Sequence, residues 1–222
     1  LVQGKSLLQL TLERASLVST TQLIVASEDH RFLVQECAHA AKVQSRIVLE
    51  PMGRNTAAAM ACAALNVPAD TLLLFLPADH HIPDARAFSD TVRCGEAAAR
   101  AGSIVTFGVQ PSFPSTAYGY IQQGDPLEGR PGVHQVQRFI EKPDAHRAQE
   151  LLLQGRHFWN AGIFLAQAGS LLQALEAFAP DILAACRQAV AAQEADGDFL
   201  RLESASFSGC RSESIDYAVM EK

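Results

Sequence analysis

The most apolar stretch of the chain, TLLLFLPADHHIPD at 71–84, ends by presenting Pro77, Ala78, the carboxylate of Asp79 and two imidazoles. Pro77 breaks a strand, so Asp79 emerges where the strand opens into solvent. It is either a ligand-bearing carboxylate or the cap of a turn. His80 and His81 are adjacent rather than at the i, i+4 spacing of a zinc-binding helix, and they read as surface-loop residues. Four other segments gather polar chemistry. EPMGRNTA (50–57) sets Glu50, a glycine and Arg54 just ahead of Asn55, Thr56 and an alanine-rich run, a natural place for polar or anionic ligand groups. TAYGYI (116–121) offers close backbone approach at Gly119. FIEKPD (139–144) places Glu141, a hydroxyl acceptor, beside Lys142, a phosphate-binding cation. HFWNAGIF (157–164) presents Asn160 and the small pair Ala161 and Gly162 at the start of an apolar strand. Read alone, EKP is a chance tripeptide and Asn-Ala-Gly a turn. A shared position at strand ends gives them weight.

Those strand ends belong to a recognisable alternation. KSLLQLTLERA (5–15) spaces Leu7, Leu8, Leu10 and Leu12 as an amphipathic helix, and HRFLVQECAHAAK (30–42) has the same period. QLIVA, RIVL, the run Leu72 to Leu76 and SIVTFGV are short apolar runs without alternation, as strands covered on both faces are. Asn55 or Thr56 caps the alanine-rich helix, Asp84 caps a helix reaching Arg100, and Asp144 caps DAHRAQELLLQG. Strand and helix therefore alternate as βαβ units through the first half, which predicts an α/β, doubly wound, mostly parallel sheet. Ligands of such sheets bind beyond the carboxyl ends of the strands. In the second half, AYGYIQQGD and GVHQVQRFIEKP read as two antiparallel strands, a small extension. One long helix is expected from about 170 to 193, then a short strand FLRL and a last helical turn in SESIDYAVMEK. No repeat or linker divides the 222 residues, so one domain is expected, with halves at 1–110 and 111–222.

Composition narrows the function. The chain is 48% hydrophobic and 19% charged, with a net charge of −6. Acids and bases are interspersed and no basic run exists, which argues against a nucleic-acid surface but leaves local phosphate sites open. No run approaches the ~18 apolar residues of a membrane span. Cys37, Cys62, Cys94, Cys186 and Cys210 are odd in number and form no C-x-x-C pair, so a cytosolic, free-thiol protein is expected.

Taken in series, EPMGRNTAAAMACAAL (50–65), FLPADHHI (75–82), YGYI (118–121), FIEKPD, FWNAGIF (158–164) and ESIDYAVMEK (213–222) resemble the bacterial mannose-1-phosphate guanylyltransferases. The resemblance implies a Rossmann-like nucleotidyltransferase fold, a cytoplasmic setting and the conversion of GTP and mannose 1-phosphate to GDP-mannose and pyrophosphate, with Mg²⁺ as cofactor and room for a homodimer. It assigns metal-binding to Asp79 and Asp216, although Asp216 also fits a plain helix N-terminal acid. Pro77 and Ala78, with Asn55 and Thr56, fall on the nucleotide side. Glu50 would read guanine, whose N1–H and exocyclic amine a single carboxylate accepts together; Arg54 alternatively pairs with Glu50. Glu141 and Asn160 would hold mannose hydroxyls, Gly119 and Gly162 would give close backbone approach, and Lys142 would hold the sugar phosphate.

The family's Gly-rich phosphate loop, which precedes LVQGKSLLQL, is not in the sequence, and family members continue beyond MEK, some into an isomerase domain. Slow catalysis by these residues alone is the expectation. Two alternatives stand beside the leading one: a transferase for another sugar 1-phosphate or nucleotide, and a non-catalytic sugar-nucleotide-binding regulatory subunit.

Overall fold

The computed structural model describes residues 1–2 and 4–222. Among the described residues, nine strands form two sheets. In the first, β1 (Gln22–Ser27), β2 (Ser45–Glu50) and β9 (Phe199–Arg201) pair in parallel, and β8 (Glu194–Asp196) closes the edge antiparallel to β9. In the second, β7 (His157–Gln167) is the organising strand. β3 (Leu72–Phe75), β4 (Val105–Val109) and β5 (Tyr120–Pro126) all pair with it antiparallel, and β6 (His134–Ile140) pairs with β5. So β3 and β4 run the same way, but their parallelism is one of direction; β7 holds the hydrogen bonds. β9 comes from the last tenth or so of the chain, yet joins the sheet that β1 and β2 begin.

Side-chain alternation shows why both faces need cover. Ile24, Ile47, Leu49 and Phe199 pack with Leu12 of α1 (Leu7–Ala15) and with Val34 and Ala38 of α2 (Arg31–Ala41). Their neighbours Leu23, Val25, Val48 and Leu200 face the other way, onto α3 (Asn55–Leu65), α6 (Ala168–Phe178) and α7 (Pro180–Ala191). The second sheet repeats the division. Leu73, Phe75 and Phe164 meet the same α3/α6/α7 layer, while Leu72, Leu74, Ile163 and Leu165 pack with α4 (Ala85–Arg100). The result is a three-layer α/β architecture of the doubly wound kind, one helical layer spanning both sheets.

Local signals set most helix ends. Asp84 Oδ1 accepts from the Ala87 N–H and Asp144 Oδ1 from the Arg147 N–H, both at 2.8 Å, the latter starting α5 (Ala145–Gln154). The expected helix over 170–193 is two helices. Pro180, which has no N–H to donate, stands at the first position of α7, and Ala179 leaves the helical conformation at φ −146. A short α8 (Ser204–Ser208) and a π turn at Asp216–Met220 end the chain. Among the described residues, no helix is long and apolar enough to cross a membrane.

Candidate functional site

Asn160 is the hub of the site. Its position in β7 is fixed by pairing on both sides, and its own N–H donates to the Gly119 carbonyl at 2.7 Å. The Thr106 hydroxyl and the Gly162 N–H donate to Oδ1 at 3.0 and 3.1 Å, and Nδ2 donates to Asp216 Oδ1 at 2.9 Å. Two donors on the oxygen and a carboxylate on the nitrogen fix the amide's orientation. One Nδ2 hydrogen remains for a ligand. Gly162 adopts φ +65, a left-handed conformation that a side chain disfavours, and a Cβ there would lie 3.6 Å from Pro77 Cγ. Strand β7 thus brings the Pro77 loop and the Asp216 turn to one place.

Glu141 and Lys142 stand against this hub. Glu141 Oε1 accepts from Lys142 Nζ at 2.7 Å; the Glu141 side chain is 6% exposed and that of Lys142 57%. A Cβ on Gly119 would overlap Glu141 Oε2, so any larger residue there would push the carboxylate aside. Lys142 itself has φ 41, a left-handed backbone that costs an L-residue about 1 kcal/mol and must be held by its surroundings. Donation to Glu141, with the charges of Glu141 and Asp216, holds the Lys142 ammonium above its ordinary range. Burial, then the charge of Glu141, raises the Asp216 carboxyl. Asp216 Oδ2 takes no hydrogen bond among the described residues. An oxygen ligand of that kind, in a site with an excess of negative charge, suits a hard divalent cation.

Of the residues expected on the nucleotide side, Asn55 and Thr56 lie at the start of α3, which docks on the approach to Asp216. Thr56 Oγ1 accepts from the Ile215 N–H at 2.8 Å, and the Ala57 N–H donates to the Glu213 carbonyl at 3.2 Å. Asn55 takes φ 66 and its Oδ1 accepts from the Thr56 N–H at 2.8 Å, the local bond that lets asparagine tolerate this conformation. Glu50 ends β2 with Oε1 buried and without a hydrogen-bond partner among the described residues, and burial lifts its pKa to about 7. Arg54 does not pair with it. The guanidinium instead donates to the Ser208 carbonyl and to Met52 Sδ. Helical i, i+4 reach does not apply across a strand end and a turn.

Asn160, Gly119, Gly162, Glu141, Lys142, Asp216 and Pro77 therefore form one connected cluster, and Thr56 abuts it through Ile215. Ala78 and Asp79 are exposed; Asp79 makes no hydrogen bond or ion pair among the described residues and is joined to the cluster only through Pro77. Among the described residues, no three His, Cys, Asp or Glu side chains are preassembled around a metal position. Two contributors escaped the sequence reading. Thr106 had a signal, being the one hydroxyl inside the apolar β4. Glu221, which bonds the Glu141 N–H, had none, because its partner is 80 residues away.

Comparison with known proteins identifies the frame that carries these residues. The family model described as nucleotidyl transferase matches residues 1–205. The mannose-1-phosphate guanylyltransferase of Sinorhizobium fredii is 47% identical, over an alignment covering 100% of this chain and 44% of that protein. The mannose-1-phosphate guanylyltransferase ManC of Salmonella typhimurium is 44% identical, with 98% and 47% covered. This chain thus spans about half the length of these curated relatives. A crystal structure of a Helicobacter pylori protein described as mannose-6-phosphate isomerase superposes with a TM-score of 0.91 at 34% identity, covering all of this chain and 86% of that one. A strand-end cluster of amide, carboxylates and lysine on a three-layer α/β frame, matched over most of its length by that model, places the chain in the nucleotidyl transferase family.

Proposed function

We propose that the chain carries the transfer site of a mannose-1-phosphate guanylyltransferase, which joins GTP and mannose 1-phosphate into GDP-mannose and pyrophosphate. The observation that carries this reading is the meeting of Asn160 Nδ2 with Asp216 Oδ1 at 2.9 Å beside the Glu141–Lys142 pair at 2.7 Å. It supports this reading because an amide, a lysine and a carboxylate with a free oxygen stand together in one cluster. Two relatives bear this enzyme's name.

In the reaction a phosphate oxygen of mannose 1-phosphate attacks the α-phosphorus of GTP. A new O–P bond forms, the α-phosphorus loses its bond to the bridging oxygen, and pyrophosphate leaves with that electron pair. The protein's task is positioning and charge stabilisation. Lys142, largely exposed and firmly cationic, holds the sugar phosphate. Glu141 and the free Nδ2 hydrogen of Asn160 hold hydroxyls of the hexose. Gly119 and Gly162 let the backbone approach it. Glu50 accepts both guanine N–H donors, while Asn55, Thr56, Pro77 and Ala78 line the nucleotide side. Asp79 and Asp216 would hold Mg²⁺, which when bound neutralises charge on the phosphates. We assign the 1–110 half to nucleotide and the 111–222 half to sugar phosphate, in a cytoplasmic protein.

The test is calorimetric titration of the chain with GDP-mannose and UDP-glucose, followed by pyrophosphate release from GTP and mannose 1-phosphate. Preference for GDP-mannose of about tenfold or more is expected, since a buried carboxylate left unpaired by uracil is costly. Release should be slow and should vanish on chelation. Equal affinity for the two sugar nucleotides would overturn the assignment.

A further inference from the structure

Glu221 has no part in the reading above, yet its exposed side chain reaches the Glu141–Lys142 edge of the cluster. Its Oε1 accepts a hydrogen bond from the backbone N–H of Glu141 at 2.9 Å. The π turn makes this reach available. The Glu221 N–H bonds the Asp216 carbonyl, five residues back, at 3.0 Å. One residue more per turn than an α-helix brings Glu221 beneath Asp216 rather than past it. The two acids then address neighbouring strand ends. Asp216 takes the amide of Asn160 in β7, and Glu221 takes the peptide N–H at the end of β6.

That peptide precedes Lys142, whose left-handed backbone (φ 41) sets where the ammonium points. The Glu141 side chain on the same residue is wedged beside Gly119. A rotation at Glu141 would therefore displace the hydroxyl acceptor and the phosphate cation together. We propose that Glu221 is a positioning residue that anchors the Glu141–Lys142 segment to the Asp216 turn and so fixes the spacing between the sugar-phosphate groups and the Asp216 carboxylate. The inference rests on the nucleotidyl-transfer reading, because it gives that spacing its purpose.

The test compares Glu221→Ala with Glu221→Gln, whose amide oxygen still accepts a hydrogen bond. For each, GDP-mannose and GDP affinities are titrated, the Tm is recorded, and amide hydrogen exchange at Glu141 is followed. E221A should weaken GDP-mannose about tenfold, leave GDP within about twofold, and speed exchange at Glu141, with Tm unchanged. E221Q should restore both the GDP-mannose affinity and the slow exchange. Wild-type affinity of E221A for GDP-mannose overturns the proposal, as does equal weakening of both ligands, which would mark a general loosening. A wild-type chain that binds neither ligand removes the underlying reading as well, and the wild-type titration itself tells that case apart.

Discussion

Glu50 combines a buried oxygen that has no partner with a carboxyl raised to about 7, so its charge changes within the physiological range. Guanine's two adjacent donors need the ionised form. GDP should therefore bind more tightly as pH climbs from about 6 to about 8, in titrations over that interval. Glu50→Gln should lose roughly tenfold or more in affinity and flatten this dependence, because an amide accepts on one atom only. An unchanged pH profile in E50Q would remove Glu50 from base recognition. In the ligand-free chain the sign is opposite. An acid whose folded value is raised loses stability as pH rises from the ordinary 4.5 through about 7, so a bound guanine relieves a cost that the fold carries at neutral pH. The missing partner and the raised pKa were not visible in the motif alone. EPMGRNTA identified a carboxylate near a helix start, but its lack of a partner depends on Arg54 turning away to the Ser208 carbonyl.

At the scale of elements, the Thr56 hydroxyl on the Ile215 N–H joins the N-terminus of α3 to the segment before Asp216, beside the Ala57 N–H on the Glu213 carbonyl. Thr56→Ala should cost about 1 kcal/mol, and Thr56→Ser should recover it. In thermal melts that is a Tm decrease of roughly 2–4 °C. No change in Tm would mean that water replaces the hydroxyl. The elements themselves were largely legible, because their signals are local: Asp84 and Asp144 cap the helices they precede, and unalternating apolar runs became strands packed on both faces. Pro180 was an equally local signal, overridden in the sequence reading by the leucines and alanines around it. Pairing was not legible. β3 and β4 look like neighbours in a parallel sheet, and only the folded chain shows β7 between them, since partner choice is decided by residues about 50 to 100 positions apart through loop closure rather than by either strand's own pattern. The same reason hid Glu221, whereas the grouping of Glu141, Lys142, Asn160 and Asp216 was readable from motifs in series.

For the whole molecule, the α3/α6/α7 layer is shared by both sheets, so they should melt as one unit. Leu171, fully buried in that layer, tests this. Leu171→Ala should destabilise by about 2–5 kcal/mol. The fluorescence of Trp159, the single tryptophan, reports the second sheet, and far-UV circular dichroism reports all helices. The two should shift together, and separate midpoints would show that the sheets are independent. A different consequence follows from the late arrival of β9. Its Arg201 pairs with Glu28, 173 residues earlier. At a synthesis rate of roughly 5–20 residues per second, β2, made about 150 residues before β9 is complete, waits roughly 8 to 30 s for the strand beside it. During that interval β2 offers an open, apolar parallel edge, so the first half of the chain is the part most in need of chaperone protection while it is being made.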